Sequence, residues 1–190
     1  MQSTQVVVRH RLLTVEDYHK MGEAGILHED DRVELVDGEL IEMAPIGSDH
    51  SGTVIQLTAL VSAALVGQAL LSTQNPVRLG KYSEPQPDIA ILRLRDDFYR
   101  KAHPRPEDVL MLIEVADTTV HYDREVKIPL YARHGVPEVW LIDLQQECIE
   151  IYLQPSSAGY LQILRPGKDE RISPSLLPDI SILVADLWSR

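Results

Sequence analysis

The chain has 190 residues, of which 44% are hydrophobic and 25% are charged, a size and composition typical of one globular domain with a well-buried core. Its formal net charge of −11 argues against a general nucleic-acid coat protein, which would carry a basic face. No apolar run approaches the roughly 20 residues that cross a bilayer, and the first residues hold too short an apolar stretch for a signal peptide. The single cysteine, Cys148, leaves no internal disulfide. We therefore expect a cytoplasmic protein with no membrane association.

The first predicted elements are a short helix and a hairpin. Thr14 followed by Asp17 is typical of a capping box and predicts a helix through about residue 24. Two strand-like runs within residues 32–43 flank Asp37 and Gly38, a pair that favours a tight hairpin turn. A long and largely buried helix is then expected from about residue 49 to 71, capped by Ser48 or Asp49.

The rest of the chain alternates between strand and helix patterns. We predict strands at residues 75–79, 89–94, 109–116, 139–144 and 148–153, with further short runs at 160–164 and 182–184. A polar turn at residues 117–122 precedes a helix to His134, and Gly135 with Pro137 provides its stop. The order from residue 49 is αβββαβ, which predicts an α/β (α+β) fold with a mixed sheet. We expect one domain over residues 1–190, with a core at 49–144, an N-terminal helix and hairpin extension at 14–43, and C-terminal strands at 147–186.

One acid interrupts an otherwise apolar stretch. Residues 110–116 are apolar except for Glu114, and an ionised carboxylate is costly to bury unless something neutralises it. Asp88 begins one apolar strand and Glu114 lies near the end of another, so antiparallel neighbouring strands would bring the two together. Two close carboxylates repel unless a cation lies between them, and hard oxygen ligands suit Mg²⁺ or Mn²⁺. The simpler alternatives are a turn aspartate at 88 and a buried glutamate satisfied by Arg124 or by backbone amides.

A lysine on the following helix completes this constellation. Asp123 and Lys127 are spaced i, i+4 and share a helical face. If the helix packs back on the sheet, Lys127 approaches the strand ends, where it can hold an attacking water or neutralise charge on a phosphorane. Asp123 and Arg124 are interpreted as a turn residue and an ion-pair partner. Tyr131 and Trp140 are interpreted as core residues.

Taken together, these residues resemble the PD-(D/E)XK nuclease superfamily. The closer resemblance is to the Uma-type family of restriction-endonuclease-like proteins, and it covers most of residues 32–143. It is carried by the stretches VELVDGELIEMAP, PDIAIL and LIEVADTTVHYDREVKIPLYARHGVPEVWLID. The lysine that usually follows the acid by two residues is replaced by Ala116, and Lys127 is its natural substitute. The resemblance implies a restriction-endonuclease-like fold and a Mg²⁺- or Mn²⁺-dependent endonuclease that hydrolyses DNA without an organic cofactor.

The resemblance also implies a set of site residues. The catalytic set is Asp88, Glu114, Lys127 and Glu34, and the metal ligands are Asp88, Glu114, the backbone carbonyl of Val115, and His50. Two of these have simpler interpretations, because His50 suits a solvated first helical turn and Glu34 suits the polar face of an alternating strand. Glu39 and Glu42 are interpreted as solvent-facing acids of the hairpin.

Three functional hypotheses stay open on the sequence. A basic segment at residues 78–105, with seven Lys or Arg against four acids, favours a phosphate-bearing partner such as DNA, and scattered surface charge is the equally good alternative. The net charge and the lysine missing at position 116 favour a nuclease-fold module without catalysis, which would serve in binding or assembly. A small-molecule hydrolase would have a narrow pocket rather than an open cleft bordered by the basic segment. Duplex cleavage requires one active site per strand, so a homodimer is expected, paired through an exposed edge at residues 148–153.

Overall fold

The structure is a computed structural model that describes residues 10–28 and 30–188. An N-terminal helix and hairpin precede a long helix and a six-stranded sheet, and short elements follow. The helices are α1 (Val15–Glu23), α2 (Ser48–Leu65), α3 (Val120–Tyr122) and α4 (Ile128–Arg133), with 3₁₀ turns at Pro106–Asp108 and Val184–Leu187. The strands are β1 (Val33–Val36), β2 (Glu39–Glu42), β3 (Leu70–Thr73), β4 (Ile89–Leu92), β5 (Val109–Ala116), β6 (Glu138–Asp143), β7 (Cys148–Ser156), β8 (Gly159–Leu164), β9 (Arg171–Ile172) and β10 (Ile182–Leu183).

The central sheet has the strand order β3-β4-β5-β6-β7-β8. Strands β5 and β6 are parallel, and every other neighbouring pair in this sheet is antiparallel. The crossover between β5 and β6 is a continuous helix in which a π-helical turn, Asp123–Lys127, joins α3 to α4. The predicted αβββαβ core and the mixed sheet are confirmed.

Each face of the sheet is covered by a different helix. On one face, α2 buries Val54, Leu57, Val61 and Leu65 against residues of β4, β5 and β6 such as Ile113. On the other face, α4 buries Ile128, Leu130 and Tyr131 against Leu112 and Leu141. Because side chains alternate along a strand, Glu114 lies on the α4 side, as do Leu112 and Ala116.

The local predictions at the N-terminal end are confirmed. The Thr14 hydroxyl accepts a 3.1 Å bond from the Asp17 backbone amide, and the Asp17 carboxylate accepts a 3.0 Å bond from the Thr14 amide. The hairpin turns at Asp37 and Gly38, whose φ angles are 48° and 84°. Positive φ at both central residues is what a type I′ turn requires.

Helix α2 differs from its prediction. It ends at Leu65 rather than near residue 71, since Gly67 adopts a left-handed φ of 75° and residues 70–73 pair with β4 as an edge strand. That pairing leaves the predicted strand at residues 75–79 without a place in the sheet. The cap is Gly47, without the side-chain bond expected from Ser48 or Asp49. The helix is also only half covered, as Ile55 is 67% exposed.

The predicted open edge at residues 148–153 is wrong. Strand β7 lies between β6 and β8, and it pairs with β8 from Ile151 opposite Leu164 to Ser156 opposite Gly159. The exposed edge of the sheet on this side is therefore β8. Among the helices of the described ranges, none has the length and apolar character that crossing a bilayer requires.

Candidate active site

Asp88 and Glu114 come together through the register of β4 and β5. Ile89 is paired with Ile113 in this antiparallel ladder, so the next position places Asp88 opposite Glu114, at the separation of a cross-strand pair. The Asp88 Oδ2 accepts a 2.9 Å hydrogen bond from the backbone amide of Val115. Both acids line a cleft of about 310 Å³ that is bounded by the β1–β2 hairpin, the first turn of α2, the end of β5 and the helix that follows it.

Lys127 reaches Glu114 from that helix. Its Nζ lies 3.0 Å from Glu114 Oε1, and the Tyr131 hydroxyl donates a hydrogen bond to the same oxygen. Asp123, Lys127 and Tyr131 follow one another at four-residue spacing, and all three are buried. The sheet-facing stripe of the helix therefore presents an acid, a cation and a phenol to the end of β5.

Glu34 joins the same group from strand β1. Its Oε2 lies 3.5 Å from Lys127 Nζ and accepts a 3.0 Å bond from the backbone amide of Gln86. Its Oε1 accepts a 3.2 Å bond from the Tyr122 hydroxyl. With only 1% of its surface exposed, Glu34 belongs to the buried site and not to a solvent-facing strand surface.

His50 is held against Asp88 from the first turn of α2. Its Nε2 lies 3.0 Å from the Asp88 carboxylate, and its Nδ1 is buried without a hydrogen-bond partner in the part of the chain that the structure describes. The interpretation of His50 as a solvated residue is wrong, because only 15% of its side chain is exposed. In this arrangement the histidine orients the aspartate.

Negative charge exceeds positive charge in the cleft. Burial, together with the nearby Asp88 and Asp123, raises the pKa of Glu114 to about 8, although Lys127 and the Tyr131 hydrogen bond act in the opposite direction. Burial alone would lower the pKa of Lys127, but Glu114 and other acidic neighbours hold it well above its usual value. Lys127 is consequently a permanent cation in the neutral pH range.

Two further acids of the cleft, Asp88 and Asp123, have net pKa shifts in opposite directions. Burial would raise the pKa of Asp88, but hydrogen bonds from His50 and Val115 lower it below the usual value, so Asp88 is ionised. The bond to Asp88 in turn raises the pKa of His50. Burial raises the pKa of Asp123, whose carboxylate accepts a 2.8 Å bond from Thr119.

The donor set fits a hard divalent cation. Six carboxylates line the cleft, and four of them, from Glu34, Asp88, Glu114 and Asp123, interact electrostatically with the buried Lys127. Carboxylate oxygens are the ligands that Mg²⁺ and Mn²⁺ prefer. One ligand atom each from His50, Asp88 and Glu114 do not all lie within 4.8 Å of one another in the described structure. This is consistent with His50 acting on Asp88 and with Lys127 and Tyr131 holding Glu114.

Comparison with known protein families shows to which family the chain belongs. The family model described as "Uma2: Putative restriction endonuclease" matches residues 15–185, which include every residue of the cleft. The chain belongs to the Uma2 family.

A solved structure shares the Uma2 fold described above. The crystal structure of "a putative nuclease belonging to DUF820" from Anabaena variabilis has a TM-score of 0.71 to this chain at 16% sequence identity. The alignment covers 93% of this chain and 97% of the other. A search of curated proteins found no match. At this identity the likeness shows the fold, which is restriction-endonuclease-like.

The cleft of this Uma2 protein is lined by every residue that was predicted from the sequence to be catalytic or metal-binding. These residues are Glu34, His50, Asp88, Glu114, Val115 and Lys127. Val115 takes part through its backbone, because its side chain packs in the core on the α2 side. The basic segment reaches the cleft through Gln86 and Asp88, but its Lys and Arg side chains do not line it; in the described chain the Lys and Arg residues of the lining are Arg32 and Lys127. Arg124 does not neutralise Glu114, since it pairs with Glu150 at 3.1 Å and Asp143 at 3.6 Å.

Three contributors to the Uma2 cleft were missed as site residues. Tyr131 is a fully buried core residue, as predicted, but its hydroxyl also holds Glu114. Tyr122 holds Glu34, and Asp123 lines the cleft rather than serving only as a turn residue. The four-residue spacing from Asp123 through Lys127 to Tyr131 was the available signal, because it places all three on one helical face.

Proposed function

We propose that this chain is a DNA endonuclease that hydrolyses phosphodiester bonds with the help of Mg²⁺ or Mn²⁺. The observation that carries the proposal is the meeting of Asp88, Glu114 and Lys127 in one cleft, from two strands and the helix that follows. Two carboxylates and a cation at the end of a sheet supply both a metal site and a partner for a developing negative charge.

Asp88 and Glu114 are the side chains that would hold the metal ion, with the Val115 carbonyl as a backbone ligand. When bound, the ion supplies Lewis acidity and lowers the pKa of water. Asp88 is prepared for this role because His50 and the Val115 amide keep it ionised and oriented. Glu114 is less prepared, since burial raises its pKa to about 8, and a dication beside it would stabilise the charged form.

Lys127 is assigned to charge stabilisation rather than to general-base catalysis. Its raised pKa keeps the ammonium protonated, so it donates hydrogen bonds to a phosphoryl oxygen or to the attacking water and removes no proton from either. Glu34, which lies 3.5 Å from the Lys127 ammonium, fixes the direction of that cation. Tyr131 fixes the orientation of the Glu114 carboxylate in a similar way, through the hydrogen bond from its hydroxyl.

Nicking of supercoiled plasmid DNA tests the proposal. Wild-type protein with Mn²⁺ or Mg²⁺ is expected to convert plasmid to the open-circular form, and EDTA is expected to abolish the conversion. Asp88→Asn and Glu114→Gln keep the side-chain shape and remove the charge, so each should lower the rate by at least about a hundredfold. Glu39→Gln, an exposed acid of the hairpin, is the matched control. Unchanged cleavage in both site variants would reject these assignments.

A nuclease-fold module without catalysis is the second candidate. It is favoured by Ala116, which stands where related nucleases carry the lysine. It is also favoured by the ion pair with Lys127 and the hydrogen bond from Tyr131, which both occupy Oε1 of Glu114. Calorimetric titration with Mn²⁺ separates the two functions. No binding at millimolar Mn²⁺ would favour the module, whereas binding that Asp88→Asn removes would favour the nuclease.

We further propose that the active form is a homodimer, because cleavage of both DNA strands needs two active sites. The exposed edge strand β8, with Leu161 at 72% and Ile163 at 51% exposure, offers a surface for pairing. Light scattering after gel filtration should give twice the mass of the chain, and Ile163→Lys should halve it. A monomeric mass for the wild-type protein would contradict the dimer.

A further inference from the structure

A second group of metal-binding side chains lies outside the cleft. We propose that His19, Glu84 and His103 form a site for a divalent transition-metal ion, and that Zn²⁺ is the ion that suits it best. One ligand atom from each of the three residues lies within 4.8 Å of the other two. The residues come from helix α1, from the segment before β4, and from the loop between β4 and β5, so distant parts of the chain converge here.

The carboxylate of Glu84 supplies an independent reason to expect a cation. Its side chain is 1% exposed, and its Oε2 is buried without a hydrogen-bond partner among residues 10–28 and 30–188. Its Oε1 has one contact, a 2.6 Å hydrogen bond with His19 Nε2, and within the described ranges no Lys or Arg forms an ion pair with it. A buried carboxylate oxygen without a donor is costly, and a bound metal ion removes that cost.

The three donors favour zinc over magnesium. Imidazole nitrogens suit Zn²⁺ and its neighbours in the transition series, whereas Mg²⁺ prefers oxygen ligands throughout. Three protein ligands leave one tetrahedral position for water, and the exposure of His19 and His103 gives an ion a path of entry. Binding through His19 Nε2 would replace the hydrogen bond between His19 and Glu84, because the ring nitrogen that binds the ion carries no proton. In a neutral imidazole that proton is carried by Nδ1.

The position of the site indicates a structural role. The Glu84 backbone amide donates a 2.7 Å bond to Leu35 in strand β1, and two residues later the Gln86 amide holds the Glu34 carboxylate at 3.0 Å. An ion on Glu84 would fasten this segment to α1 and to the loop that carries His103. Binding of the ion would raise the free energy of unfolding, and this effect does not depend on catalysis in the cleft.

Zinc titration in the presence of millimolar Mg²⁺ tests the proposal on the full chain. Protein freed of metal by EDTA and dialysed is expected to bind one Zn²⁺ per chain by calorimetry. Saturation should raise the melting temperature by about 5–10 °C, as expected for a ligand well above its Kd. Co²⁺ in place of Zn²⁺ should give visible absorption bands. Failure to bind one Zn²⁺ per chain at micromolar concentrations would overturn the site.

Variants assign the ion to these residues. His103→Gln changes an exposed side chain, so the fold is retained, and it should weaken Zn²⁺ binding by at least about tenfold and remove the Co²⁺ bands. His28→Gln, an exposed histidine outside the group, should bind Zn²⁺ as the wild type does. Asp88→Asn should also retain binding, which separates this site from the cleft. Equal affinity in His103→Gln and His28→Gln would overturn the proposal, whatever the outcome of the nuclease assay.

Discussion

The ammonium of Lys127 lies 3.0 Å from Oε1 of Glu114, although the lysine belongs to a helix and the glutamate to a strand. Ala116, the residue two positions beyond Glu114, is fully buried on the same face of the sheet. The helix thus brings to the end of β5 the cation that the strand itself does not carry. Four predictions follow from this arrangement and its neighbours.

Removal of the lysine charge should abolish most of the activity without loss of the fold. Lys127→Met keeps much of the side-chain volume, and Glu114 can take up a proton once its cation is gone. We expect a decrease in the nicking rate of about 10²–10³-fold, as for loss of one transition-state contact. Lys168→Met removes a lysine that pairs with Glu147 at the surface and should keep the wild-type rate. Similar rates for the two variants would show that Lys127 has no part in the reaction.

The stability of the metal-free protein should depend on pH through Glu114. The pKa of Glu114 is raised from 4.5 to about 8, so the folded state binds its proton more tightly than the unfolded state does. The associated stability is fully present below about pH 4.5 and is lost as the pH rises through 8. Urea unfolding in EDTA should therefore give a falling free energy of unfolding between pH 5 and pH 8.5 in the wild type and a flatter profile in Glu114→Gln. Superimposable profiles would contradict the raised pKa.

Loss of the Tyr131 hydroxyl should affect both stability and catalysis. Tyr131→Phe removes one of the two buried donors to Glu114 Oε1 and leaves Lys127 as the other, which should cost about 1–3 kcal/mol in the free energy of unfolding and lower the nicking rate about tenfold. Tyr160→Phe is the matched control, because the Tyr160 hydroxyl bonds the Val136 carbonyl away from the cleft. It should lose stability but not activity. A rate loss of equal size in both variants would indicate a general effect on the fold.

Glu34 is expected to act through Lys127. Glu34→Gln keeps the hydrogen bond from the Gln86 amide but removes the charge beside the ammonium. We expect Mn²⁺ affinity within about threefold of the wild-type value and a turnover rate lower by about ten- to a hundredfold. Calorimetry and single-turnover nicking measure the two effects separately, with Glu39→Gln as the control from the same hairpin. A large loss of metal affinity would instead make Glu34 a metal ligand.

Features governed by local sequence were predicted well. The Thr14 capping box, the turn at Asp37 and Gly38, and the limits of β5 each depend on a few adjacent residues, and the structure confirms them. The meeting of Asp88 and Glu114 was also predictable, because both lie at ends of apolar runs and an antiparallel pairing brings those ends together.

Features governed by contacts between distant segments were not predictable. Leu70 and Leu71 continue the apolar pattern of α2, and only the pairing of residues 70–73 with β4 makes this segment a strand. The pairing of β8 with β7 likewise hides the edge that the sequence left open. The role of Tyr131 depends on which oxygen its hydroxyl meets, and the partners of Arg124 lie on β6 and β7. In each case the sequence showed the helical or strand pattern, but it did not show which residue or strand lies next to that segment in the fold.

The π-helical turn at Asp123–Lys127 has a consequence for how this chain can change in length. Because side chains change direction with each residue of a helix, by about 100° in an α-helix, deleting or inserting one residue within Asp123–Lys127 would turn the ammonium away from Glu114 and from the helical face that it shares with Asp123. Single-residue indels should therefore be excluded from this turn. Relatives with the same cleft would have to keep the sequence spacing between Glu114 and Lys127.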